Sequence, residues 1–239
     1  MSEFFDIIRL EWGPVKYEIR PLFNGNIQNW YVGMAGYDFP RSIYLDEFEY
    51  LKKLIVDYDL KNGYEVATAF GLSAVALGLG FKQTGGQLVT MDAYIEESVD
   101  KWEDYRWEGP QTRTDAMGYK SANFLMEHFG LKNHVKVEIG YSPNDVGRIL
   151  AKSLKGKLDF VFIDAGHFPE QLIKDLDAVI PFLADEYVIA LHDCFEYMVT
   201  PEVEEYILEK FGQKIEIVVP YPKGYDLGVI IKKEKFDNK

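Results

Sequence analysis

From residue 63 onward the chain alternates between two hydrophobic patterns. Short runs that are apolar at most positions read as buried strands, and between them lie longer stretches with apolar residues at helical spacing. "YEVAT" leads into a helix predicted over Leu72–Phe81, and "GGQLVTMD" reads as a turn and a second strand ending at Asp92. A helix fits Thr114–Phe129, followed by "HVKVEIG" as a third strand. Ser142-Pro143 has the form of an N-cap with proline at the first helical position, opening "NDVGRILAKSL". "LDFVFIDAG" is apolar on both faces, as a central parallel strand is. Pro169 then opens a helix with Leu172, Ile173, Leu176, Ile180 and Leu183 on one stripe. "EYVIALHD" is a fifth strand, and Thr200-Pro201 repeats the cap signature before "EVEEYILEKF". "KIEIVVP" and "DLGVIIKK" close the series, joined by the turn-rich "YPKGY".

This order predicts an α/β fold: a doubly wound, mostly parallel seven-stranded sheet, Rossmann-like, with helices on both faces and the last strands forming an antiparallel edge. Residues 1–62 lack the alternation and read as an N-terminal lid or cap segment with a lead-in helix, "YLDEFEYLKKLIVDY". Residues 63–239 then form the cofactor-binding α/β domain. Ligands in such sheets sit beyond the carboxyl ends of the strands. The polar residues found there are Glu65, Asp92, Tyr141, Ser142, Asp164 to His167, and His192 with Asp193.

Composition narrows the function classes. With 47% hydrophobic and 27% charged residues, the 239-residue chain can build a sizeable core. A net charge of −13 argues against a nucleic-acid partner, which needs clustered Lys and Arg. Cys194 is the only cysteine, so no intramolecular disulfide forms, and its plain reading is a small buried residue. The opening "MSEFFDIIRLEW" is acidic where a signal peptide is basic. The most apolar stretch, Val66 to Phe81, is shorter than the ~20 residues that span a bilayer. A cytoplasmic protein with no membrane partner is expected.

The first strand-to-helix loop, "EVATAFG", carries alanines at Ala67 and Ala69 where a dinucleotide fingerprint has glycines, leaving Gly71. Alanine disfavours the positive φ that lets backbone cradle a pyrophosphate. Asp92 follows Gly71 at about the ~20-residue distance of a ribose-binding acid. A ribose signal with a weak pyrophosphate signal favours an adenosyl cofactor without phosphates. The plain alternative is a tight packing turn with no ligand.

From about residue 43 to 233 the chain resembles the class I S-adenosylmethionine-dependent methyltransferases, in their small-molecule O-methyltransferase-like branch. The resemblance is carried by "YEVATAFGLSA", by "QLVTMD", and by "LDFVFIDAGHFPEQLIKDLDAVIPFL" followed by "VIALHD". It implies S-adenosyl-L-methionine as cofactor. Glu65 and the loop of Ala67, Thr68 and Gly71, with Ser73 just beyond, would face its methionine portion. Asp92 would bind the ribose, residues near Ser142 would flank the adenine, and Asp164 would lie at the cofactor or acceptor. Two departures stand out: Ala67 replaces the family's usual glycine, and "FLADEY" lacks a glycine pair before the fifth strand.

Methyl transfer from a sulfonium needs alignment, and a hydroxyl acceptor also needs its proton removed by a base or acidified by a metal. Asp164 with His167, and His192 with Asp193, are the candidates, His167 as general base. Asp164 and Asp193 could hold Mg²⁺, and Mn²⁺ or Fe²⁺ would also suit them. Each has a plain reading as well: a helix-capping Asp164, a turn-bonding His167, a polar strand ending at His192-Asp193. Trp30, Tyr31, Trp102, Tyr105 and Trp107 either line a pocket for a small-molecule acceptor or form a subunit interface of a homo-oligomer. The expected function is methyl transfer to a small molecule, at oxygen, with a divalent cation as an optional helper. The alternatives are a nicotinamide-dependent oxidoreductase and a non-catalytic nucleoside-binding or interaction protein.

Overall fold

Among the described residues, seven strands form one sheet: β1 (Asn62–Val66), β2 (Gln87–Asp92), β3 (Val135–Ile139), β4 (Leu158–Ile163), β5 (Leu183–His192), β6 (Glu216–Pro220) and β7 (Asp226–Lys232). They hydrogen-bond in the order β3-β2-β1-β4-β5-β7-β6. The structure is a computed structural model that describes residues 43, 45–69, 71–94, 117–166, 168–193, 199–220 and 226–232. The first five strands are parallel, and β7 lies antiparallel between β5 and β6. The predicted parallel sheet with an antiparallel edge is therefore present. Chain order reverses where β1 meets β4, the switch point at which such sheets open a crevice.

Helices α1 (Leu45–Asp57), α2 (Leu72–Thr84) and α3 (Met117–His128) cover one face; α4 (Val146–Ser153), α5 (Pro169–Val179) and α6 (Pro201–Phe211) cover the other. Two apolar layers result. Phe48, Leu51, Ile55, Leu77 and Phe81 pack with Phe160, Phe162 and Val188 on the first face, while Ile149, Leu150, Leu172 and Leu176 pack with Tyr64, Val161 and Ile189 on the second. Alternation along β4 decides which strand residue enters which layer. Helix α2 is apolar nearly all round because it is buried nearly all round. Gly80 lets it approach α1 closely: a Cβ there would lie 2.9 Å from the Cβ of Ile55. Among the described residues no helix is long and apolar enough to cross a membrane.

Two local expectations are corrected. The helix opened by Pro169 ends at Val179, so Ile180 falls in a short 3₁₀ turn and Leu183 begins β5 instead of extending the stripe. Ser142 does not cap a helix beginning at Pro143, because residues 142–145 form turns and α4 starts at Val146 after Asp145. The Ser142 hydroxyl instead donates to Asp175 Oδ1 on α5, at 2.5 Å. The turn is closed by Asp145, whose Oδ2 accepts the Tyr141 N–H at 2.9 Å while its own N–H donates to the Tyr141 carbonyl. A buried partner across the fold thus outcompetes a local cap.

Candidate functional site

The strand alternation that builds the first apolar layer also aims the polar strand ends. Glu65, Thr90, Asp92, Asp164 and His192 share parity with Gly63, Leu88, Phe162 and Ala190, so they face the side covered by α1, α2 and α3. Parallel register sets them side by side, with Glu65 opposite Thr90 on β2 and Phe162 on β4.

At the end of β1 lies a buried polar chain. The Thr90 hydroxyl donates to Glu65 Oε2 at 2.5 Å and is itself 2.6 Å from the Thr68 hydroxyl. Glu65 Oε1 is buried without a hydrogen-bond partner. Burial pushes the Glu65 carboxyl up to about 8, the negative charges of Asp164 and Asp92 add to this, and the hydroxyls of Ser73 and Thr90 oppose it.

The loop after β1 takes the glycine-like path that its alanines disfavour. Ala67 has φ 73°, Ala69 φ 45° and Gly71 φ 96°. Left-handed backbone costs a residue with a Cβ about 1–2 kcal/mol. Bonds to β2 hold the loop in place: Ala67 and Thr68 donate their N–H groups to the Met91 carbonyl, at 2.8 and 3.3 Å. The Ala69 N–H donates to Asp92 Oδ2 at 2.8 Å. Helix α3 presses on the loop from outside. A Cβ at Gly71 would lie 2.8 Å from Ala122 Cα, and one at Gly118 would lie 2.7 Å from the Ala69 carbonyl oxygen. Gly118 was not singled out in the sequence, since its need for glycine comes from a helix packed on a distant loop.

Asp92 accepts the Ala69 N–H on one oxygen and the Tyr94 N–H on the other, at 2.7 Å. Burial raises its pKa, opposed by these two backbone bonds. Each carboxylate oxygen retains acceptor capacity for a hydroxyl donor. Ser73 is buried in the first turn of α2. Ser142 lies beyond β3, bonded to Asp175, and Gln171 Nε2 joins the same Asp175 oxygen at 2.9 Å.

The ends of β4 and β5 meet as neighbours. His192 Nδ1 lies 3.0 Å from Asp164 Oδ1 and 3.5 Å from Asp193 Oδ1, while Nε2 lies 3.1 Å from Glu47 Oε2. Ionised carboxylates only accept, so this surrounding favours the imidazolium, which donates from both ring nitrogens. Burial alone would lower the His192 pKa. The charge and hydrogen bond of Asp164, with the bonds from Asp193 and Glu47, hold it well above the usual histidine value. Asp193 occupies left-handed backbone, φ 51°. One ligand atom each from Asp164, His192 and Asp193 lies within 4.8 Å of the others, a set of two carboxylates and an imidazole that fits a divalent cation in number and kind.

Glu47 escaped the sequence reading. It comes from α1 and is 1% exposed. The signal was present: Glu47 precedes Leu51 by one helical turn and Leu54 by two, which puts an acid on the buried stripe. His167, Cys194, Trp30, Tyr31, Trp102, Tyr105 and Trp107 lie outside the described residues. The structure brings Asp164, His192 and Asp193 together, and separately Glu65, Thr68, Ala67 and Asp92; Ser142 stands apart at the α4–α5 side.

Comparison with known proteins bears on the fold and the family. Residues 65–194 match the profile of a family described as "Methyltransferase domain". The fold is similar to that of an O-methyltransferase from Bacillus cereus solved in complex with SAH, at 17% identity and TM-score 0.57, covering 92% of this chain and 91% of that one. It is also similar to the O-methyltransferase TomG of Streptomyces achromogenes, involved in tomaymycin synthesis and solved with SAM, at 16% identity and TM-score 0.54, over 80% and 82% of the two chains. The SAH-bound methyltransferase PaMTH1 of Podospora anserina matches at 16% identity and TM-score 0.53, over 82% and 83%.

The strained loop and the buried acid each generate a prediction. Ala67→Gly removes the left-handed penalty while adding glycine's unfolded-state freedom, so chemical denaturation should show a gain of up to about 1 kcal/mol. A loss would show the backbone there to be unstrained. Glu65 in the folded state, at about 8, keeps a proton that the unfolded chain releases near the ordinary glutamate value of 4.5. Stability therefore falls as pH rises between those values and is level above them. Glu65→Gln should flatten that fall in Tm; parallel curves for the two proteins would clear Glu65 of it.

Proposed function

The chain belongs to the methyltransferase-domain family, and on that premise we propose that it transfers a methyl group from S-adenosyl-L-methionine to a hydroxyl oxygen of a small molecule. The observation that carries this is the row of acids at adjacent strand ends on one face, at the β1–β4 switch point, beside a loop held open in left-handed backbone. The SAM or SAH bound in the similar structures supports the cofactor.

In this proposal Glu65, Ala67, Thr68, Gly71 and Ser73 receive the methionine portion. The unpartnered Glu65 Oε1 suits its ammonium group. Asp92 takes the ribose hydroxyls on its remaining lone pairs, and the turn at Ser142 flanks the adenine. The methyl carbon passes from sulfur to the acceptor oxygen, its bond to sulfur breaks to leave a neutral thioether, and the hydroxyl proton goes to a base. His167 is the proposed base, and Asp164 and His192 are the further catalytic candidates. Asp164, His192 and Asp193 would hold a divalent cation, which when bound acidifies and orients the acceptor hydroxyl.

The net charge of −13 supports a small acceptor over nucleic acid. The division into a segment 1–62 and a catalytic unit 63–239 enters the proposal with one addition, since Glu47 of the first segment reaches the site.

Calorimetry should find S-adenosylmethionine and S-adenosylhomocysteine binding where NAD and NADP do not, and Asp92→Ala should weaken that binding at least about tenfold, the worth of one charge-assisted bond. No binding of the sulfur nucleosides at millimolar concentration would overturn the proposal. In a panel of phenols, catechols and hydroxy acids, release of S-adenosylhomocysteine should stop in excess chelator and return with Mn²⁺. Turnover unaffected by chelator would remove the cation and leave the His192 imidazolium as the local positive charge.

A further inference from the structure

We infer that Glu47 is a positioning residue of the cation site, holding the His192 ring from behind so that the site prefers a transition-metal ion to Mg²⁺. The inference rests on the cation reading proposed above.

Glu47 and His192 are 145 positions apart in the chain, yet they meet, with the Phe162 ring 6.4 Å from that of His192. Glu47 is 1% and His192 4% exposed. A carboxylate buried to this degree costs several kcal/mol unless charge and hydrogen bonding compensate it. The 3.1 Å contact to Nε2 is such compensation, and it commits that nitrogen. The other nitrogen is left to face Asp164 at 3.0 Å and Asp193 at 3.5 Å.

The two ring nitrogens thus have separate tasks. Nε2 fixes the ring through Glu47. Nδ1 faces one oxygen each of Asp164 and Asp193, and a cation taken up among these three residues displaces its proton. Histidines that bind metals usually have their second nitrogen held by a carboxylate or carbonyl, which fixes the ring and makes the ligand more basic. Glu47 stands in that relation to His192. Magnesium takes oxygen ligands and keeps its waters, whereas Mn²⁺, Fe²⁺ and Zn²⁺ accept imidazole readily. A helix from outside the family-matched span 65–194 would in this way set the metal preference of the centre.

The test uses the full chain and the metal alone. Free Mn²⁺ is followed by electron paramagnetic resonance, Mg²⁺ is added as competitor, and S-adenosylhomocysteine binding is measured in parallel. The wild type should bind one Mn²⁺ per chain and keep it against about a hundredfold excess of Mg²⁺, as the ligand chemistry dictates. Glu47→Gln, near-isosteric and still an acceptor toward Nε2, should weaken Mn²⁺ binding roughly 10–100-fold with S-adenosylhomocysteine affinity unchanged, and Glu47→Ala should weaken it more. If Glu47→Ala does not fold, Glu47→Gln decides alone. Mn²⁺ affinity equal to wild type in Glu47→Gln, or easy displacement by Mg²⁺ in the wild type, overturns the inference and leaves the cation reading standing. Loss of Mn²⁺ and S-adenosylhomocysteine binding together marks Glu47 as structural and also overturns it. No Mn²⁺ bound by the wild type removes the cation reading, and the inference with it.

Discussion

Carboxylates carried into a low-dielectric layer must be matched there, and the arrangement of this molecule around its strand ends follows from that requirement. Glu65, Asp164 and Glu47 all enter the face that α1, α2 and α3 cover, where an isolated charge is costly. The chain meets the cost in three ways. Glu65 is pushed toward its neutral form and takes a hydroxyl bond from Thr90. Asp92 takes two backbone N–H groups. Asp164 and Glu47 share one imidazolium between them. Each solution also ties two elements together: β1 to β2, the first loop to β2, and α1 to β4 and β5.

The first loop shows how such ties hold an unfavourable backbone. Two alanines sit at positive φ, where glycine would rest without strain. Bonds from Ala67, Thr68 and Ala69 to the end of β2 offset that cost, and α3 closes over the loop through Gly71 and Gly118. Strain at a strand end, held by surrounding bonds, is the condition in which backbone groups are kept ready for a ligand. Ala67 therefore takes a left-handed path that glycine would follow without strain, while keeping a methyl group in the loop.

The periodic part of the fold was legible because it is local. Strand alternation, the stripe on α5 and the proline at its start depend on residues within a few positions of one another. The strand-end rule pointed to Glu65, Asp92, Asp164 and His192, and the pleat turns these four to one side. The failures were contacts between distant segments. Ser142 has the sequence of a cap, but Asp175 across the fold takes its hydroxyl. Alanine propensity argued against positive φ, but bonds to Met91 and Asp92 overrule it.

By itself the sequence determined the parallel sheet with its antiparallel edge, the strand ends at which the acids lie, and the family resemblance carried by their order. These follow from periods of two and 3.6 residues and from turn chemistry, which act over short separations. Only the tertiary structure decided which partners meet. It joined Glu47 to His192, put Gly118 against the Ala69 carbonyl, and set the protonation of Glu65 and His192. The physical reason is that burial and charge depend on everything within a few ångströms, whichever part of the chain supplies it.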